Sequence, residues 1–133
     1  MNFKSTSVEI EWGQLEARAV NGREQAVLLE ILADAEAFAL EEYGWELLAT
    51  DVYRTPEEDK KLGGHGIHPA WRSVDVRIAH WREARALALV AYINARWQYD
   101  PSRPQKSVAF VDPHGTGPHV HFQTHALTRR KPA

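Results

Sequence analysis

Residues 73–78 read Ser73-Val74-Asp75-Val76-Arg77-Ile78, and residues 119–124 read His119-Val120-His121-Phe122-Gln123-Thr124. Both stretches alternate polar and apolar side chains at a period of two, the pattern of a strand with one buried face. In the first, Val74, Val76 and Ile78 point one way and Ser73, Asp75 and Arg77 the other. In the second, Val120 and Phe122 share the apolar side, while His119, His121 and Gln123 share the polar one. If the two strands lie in one sheet with helices on the apolar face, Asp75, His119 and His121 stand together on its open face.

Outward from these strands, the chain supplies the helices. Residues 21–42 carry Leu28, Ile31, Leu32, Ala35, Phe38 and Ala39 at three-four spacing, with Asn21 a candidate N-cap and Gly44 closing the helix. Residues 46–53 read as a strand. Thr55-Pro56-Glu57-Glu58 starts a short helix: threonine caps, proline stands at the first position, and Glu58 reaches back to the cap amide. Gly63-Gly64 ends it, and a loop carrying His68 feeds the strand at 73. Residues 81–97 form a second long helix. A further strand over 107–111 is separated from the one at 119 by the turn-rich residues 112–118.

The 133 residues fit a single domain, with residues 1–20 an N-terminal extension packed on it and 126–133 a flexible tail. A hydrophobic share of 44% and a charged share of 26% are ordinary for a soluble globular protein. The net charge of −2 gives no electrostatic footprint for nucleic acid or a membrane surface. Residues 1–20 lack the apolar run of a secretory signal, and no segment approaches a membrane span. Synthesis in the cytoplasm is expected, with neither nucleic acid nor membrane insertion among the partners. Oligomeric state is not legible.

The chemistry lies in His68, Asp75, His119 and His121. The sequence has no cysteine, so a metal can be held only by His, Asp or Glu. Two imidazoles and one carboxylate on zinc leave the fourth tetrahedral position for water, the arrangement of a hydrolytic site. His65 and His114 could line such a site, and His80 and His125 read as loop or surface residues.

The order Val52-Tyr53-Arg54-Thr55-Pro56-Glu57-Glu58, then His68-x6-Asp75-Val76-Arg77, then His119-Val120-His121-Phe122 resembles a family of zinc peptidases. Its members share the lysostaphin, D-alanyl-D-alanine peptidase and Hedgehog-domain fold. The nearest branch resembles the D-Ala-D-Ala carboxypeptidase-like and L-alanyl-D-glutamate endopeptidase-like enzymes of bacteria and phages. The resemblance spans residues 45–124. It implies an α+β fold: a small antiparallel sheet with helices packed on one face and a zinc site on the other. One Zn2+ per chain would be held by His68, Asp75 and His121, with His119 catalytic as base or stabiliser. Arg54 would bind a substrate carboxylate, a task for which a guanidinium fork is well shaped.

Two departures accompany the resemblance. The carboxypeptidase-like members place a glutamate three residues before the last ligand, where this chain has Pro118; the His-x-His form instead matches His119. Trp71, Ser73 and Gly66 stand where the common pattern has glycine, alanine and serine. The implied activity is zinc-dependent cleavage of peptidoglycan stem peptides, with the cleft shaped by Trp71 and residues 100–105. A non-catalytic zinc-containing binding module, or a phage tail component of the same fold, is the alternative. A phage or prophage enzyme of this kind would reach the wall after lysis or through a holin-type pore.

Overall fold

The computed structural model describes residues 1–113 and 117–132. In chain order the elements are β1 (Asn2–Phe3), α1 (Thr6–Ala19), α2 (Arg23–Tyr43), β2 (Leu48–Asp51), α3 (Pro56–Lys61), β3 (Ser73–Arg77), α4 (Glu83–Arg96), β4 (Trp97–Gln98), β5 (Ala109–Asp112), β6 (His119–Gln123) and β7 (Arg129–Arg130). A five-stranded sheet has the order β1-β2-β3-β6-β5, and β4 pairs with β7 in a separate two-stranded ribbon. The class is α+β, as expected.

The sheet is mixed rather than antiparallel. β2, β3, β6 and β5 run antiparallel to their neighbours, but β1 runs parallel to β2. The cause is the connection: α1 and α2 lie between β1 and β2, and a helical crossover returns the chain in the same direction where a tight hairpin would reverse it.

Residues 1–20 belong to the fold itself. Ser5 caps α1 through the Val8 amide, and the helix buries Val8 and Leu15 while leaving Ile10 exposed. That stripe is too thin to stand out in the sequence. α2 buries Leu28, Ile31, Leu32, Ala35 and Ala39 and ends at Gly44, whose φ of 72° is the left-handed conformation glycine adopts freely. Its N-cap is Gly22, one residue past Asn21. α3 carries the full capping box: Thr55 accepts from the Glu58 amide, and Glu58 accepts from the Thr55 amide.

Val74, Val76, Val120 and Phe122 are fully buried and join the side chains of α2 and α4 in one core. Burying each such side chain favours folding by about 1.5–3 kcal/mol, which fixes the strand phase, because a one-residue slip would exchange the faces. The C-terminal segment is not a free tail. Arg129 pairs with Gln98 and Arg130 with Trp97, Thr128 is buried, and the Lys131 amide donates to the Arg96 carbonyl. Strand pairing satisfies backbone groups that a frayed end would leave to water.

Candidate metal centre

The register between β3 and β6 sets Asp75 directly opposite His121. β5 then places Phe110 opposite His121 and Asp112 opposite His119. Asp75, His119 and His121 therefore share one face of two adjacent strands, as their phases predict. The face is not open, however. Asp75 is 2% exposed, and His119 and His121 are 8% exposed. The segment from Arg54 to His68 folds over it and forms, with Phe110–Pro113, a cleft of about 420 Å3.

His68, 3% exposed, arrives from the loop before β3, and its Nε2 lies 3.3 Å from Asp75 Oδ2. His121 Nδ1 lies 2.8 Å from Asp75 Oδ1, and His119 Nε2 lies 3.4 Å from Asp75 Oδ2. One buried carboxylate thus faces three imidazoles. Candidate ligand atoms of His68, Asp75 and His121 all lie within 4.8 Å of one another, close enough to hold one metal ion.

The outer nitrogens of the rings are committed elsewhere. His68 Nδ1 is 3.3 Å from the Val52 carbonyl, and His119 Nδ1 is 3.0 Å from the Gly117 carbonyl. A carbonyl only accepts, so each Nδ1 carries the proton and each Nε2 turns its lone pair inward. For His121 the outer partner is Gln123 Oε1, 3.2 Å from Nε2. The Gln123 amide is oriented by donating through its own Nε2 to the Ser107 carbonyl at 2.9 Å, so its oxygen must face the ring. Orienting partners of this kind accompany metal-bound histidines. His68 Nε2 is also buried without a hydrogen bond of its own, despite its short distance to Asp75. An inward lone pair beside a carboxylate is stabilised by a cation between them. The donor set of nitrogen and oxygen fits Zn2+.

The electrostatics follow from the same contacts. Burial alone would raise the Asp75 pKa, but the His121 and His68 rings, whose inward nitrogens can donate to it only when the rings are charged, hold it below the ordinary carboxylate range. Burial alone would lower that of His68, but the Asp75 carboxylate 3.3 Å from its Nε2 and the charge of Asp51 raise it.

Arg54 lines the cleft, as the resemblance implies, but its guanidinium is already engaged. Nε meets Asp51 Oδ2 at 2.5 Å, Nη1 meets Asp59 Oδ1 at 3.3 Å, and Nη2 meets Asp75 Oδ2 at 3.3 Å. A substrate carboxylate would have to share the group with three aspartates. Asp59 is itself buried and accepts from the Gly66 amide at 2.8 Å, which ties α3 to the loop bearing His68.

Neither Trp71 nor residues 100–105 are among the described residues lining the cleft. Trp71 turns away from it, stacking on Tyr53 with ring centres 4.5 Å apart while the Arg18 guanidinium lies 4.1 Å over its ring. Its φ of 59° is left-handed, and its amide donates to the His68 carbonyl. That conformation is uncommon for a residue other than glycine, Asn or Asp. The stack of Arg18, Trp71 and Tyr53 holds the turn after His68 in place.

His65 lines the cleft, His80 is exposed beside Trp45, and His125 packs on Tyr99. His114 lies outside the described residues. Sequence reading missed Asp51, Asp59, Phe110 and Asp112. Asp112 lies 3.7 Å from His119 Nε2, and Phe110 leans on the His121 ring at 4.8 Å. Their signal was the alternation in residues 109–112, which is too short to fix which face is polar. No family model, curated protein or solved structure matches the chain.

Proposed function

We propose that the protein is a zinc-dependent peptidase acting on the stem peptides of peptidoglycan, by D-Ala-D-Ala carboxypeptidase or L-Ala-D-Glu endopeptidase chemistry. The observation that carries the metal part is the convergence of inward-facing imidazole nitrogens on Asp75, with each outer nitrogen fixed by a hydrogen-bond acceptor. The cell-wall part rests on the Tyr-Arg-Thr-Pro-Glu, His-x6-Asp and His-x-His order of the sequence.

His68, Asp75 and His121 would hold the zinc, which supplies a Lewis acid and a bound water whose pKa falls to about 7. His119 Nε2 is the atom placed to take a proton and return it to the leaving amine, because Nδ1 is committed to Gly117. Asp112, across the strand pair, lies 3.7 Å from the same nitrogen. Arg54 holds Asp75 in place and offsets the charge of Asp51, Asp59 and Asp75. Phe110 covers one side of His121 and keeps water from it.

A zinc-holding binding module without catalysis is the second reading, favoured by Pro118 at the position of the family's glutamate and by the engagement of Arg54. Digestion of purified peptidoglycan by the zinc-loaded protein separates the two. The first reading expects new amino groups and product masses that identify the cleaved bond. Stoichiometric zinc with no released amino groups would establish the second and exclude the first.

A further inference from the structure

The formal charge of −2 conceals a segregation along the chain. Residues 96–132 hold six of the sixteen Lys and Arg residues but only two of the eighteen carboxylates, Asp100 and Asp112. The fold gathers these cations. Pairing of β4 with β7 sets Arg129 and Arg130 beside the end of α4, and Lys131 reaches back to the Asn94 and Arg96 carbonyls. Arg96, Lys106, Arg129, Arg130 and Lys131 are exposed. Among the described residues the carboxylates paired with these cations are Asp34, 3.0 Å from Arg130, and Asp100, 2.8 Å from Arg103, so most of the cations carry no ion pair there.

Three of the arginines are laid on aromatic rings. Arg96 lies 3.6 Å over Tyr92, Arg130 4.3 Å over Trp97, and Arg103 5.5 Å over Tyr99. A stacked guanidinium has lost much of its rotamer freedom already, and its planar fork matches two oxygens of a phosphate. The same stacking covers the ring faces on which nucleobases would otherwise stack. Charge and coverage together favour a chain of phosphates without bases.

We propose that the surface formed by the end of α4, the β4–β7 ribbon and Lys106 binds a phosphate-bearing polyanion that carries no bases. Lys106 precedes Ser107, whose carbonyl accepts from the Gln123 amide beside His121. The binding needs no metal and is independent of the peptidase reading.

The test is binding of long-chain inorganic polyphosphate to the intact protein without zinc, measured by affinity electrophoresis over a range of salt. The Arg129→Glu/Lys131→Glu protein should bind at least tenfold more weakly, with its log–log salt slope reduced by about 2. Lys60→Glu/Lys61→Glu, the same charge change on α3, should bind like the wild type. Lys106→Glu lies outside every strand and should weaken binding even if the double variant fails to fold. No binding by the wild type, or equal losses in the α3 and β7 variants, would overturn the proposal. So would equally tight binding of a single-stranded oligonucleotide with the same number of phosphates, since that assigns the surface to nucleic acid.

Discussion

Replacing Gly64 by alanine should damage the fold and the metal centre together. A Cβ at Gly64 would collide with the Asp59 carboxylate. Asp59 cannot yield without loss, because it is buried, accepts from the Gly66 amide and pairs with Arg54. A hydrogen bond to a charged group stabilises by about 1.5–3 kcal/mol. Displacing the carboxylate weakens two, so a loss of about 3 kcal/mol is expected, relaxation recovering the remainder. For 133 residues, an unfolding entropy of about 2.1 cal/mol/K per residue converts this to a fall in Tm of about 10 °C. His68 stands two residues beyond Gly66, so its loop should loosen and zinc affinity should fall by about 10–100-fold, the usual cost of losing support behind a ligand. Thermal unfolding followed by circular dichroism and competitive zinc titration measure both. A Tm within about 2 °C of wild type would refute the steric reasoning. A lowered Tm with unchanged zinc affinity would refute the link from α3 to His68.

Three further outcomes are expected. His121→Ala should lose both zinc and hydrolysis, whereas His119→Ala should keep one equivalent of zinc and lose hydrolysis; loss of zinc from the second variant would make His119 a ligand. Arg54→Ala should lower Tm and weaken zinc binding, because it leaves Asp51, Asp59 and Asp75 without their shared cation, and breaking a buried pair costs about 3–5 kcal/mol; a raised KM with unchanged Tm would instead show that the group serves substrate alone. Hydrogen bonds from Arg103 and Ser102 lower the Asp100 pKa to about 2, against about 3.9 in the unfolded chain. Its contribution is therefore present above about pH 4 and fades as pH falls towards 2. The Tm gap between wild type and Asp100→Asn should narrow over that range, and a constant gap would contradict the assignment.

The strands that build the centre were legible because alternation over residues 73–78 and 119–124 fixes both phase and face. The capping box at Thr55 was legible because capping depends on residues three apart. α1 was not, because it buries only Val8 and Leu15 along one side and leaves apolar Ile10 in solvent. The parallel β1 and the β4–β7 ribbon span two residues per strand, too few for any periodicity. At the site, Asp75, His119 and His121 could be placed on one face by residue type and phase, whereas the ligand set His68, Asp75 and His121 was what the resemblance implied. Asp59 could not: its partners, Arg54 and Gly66, lie five and seven residues away, before α3 and past its end, where no periodicity links them to it. Net charge concealed the basic end, because a sum carries no information about position.

The place of β6 between β3 and β5 has a consequence for the order of assembly. His68 and Asp75 are seven residues apart and belong to a local loop-and-strand unit, but His121 lies 46 residues beyond Asp75. Closing so long a segment costs entropy that only the finished strand contacts repay. β6 also needs both neighbours, and both precede it in the chain. The centre is therefore completed late, when the middle strand docks between partners already made. A chain emerging from the ribosome would expose a two-residue half-site first and acquire the complete donor set only when β6 is in register. On the proposed metal reading, uptake would report the last long-range step of folding.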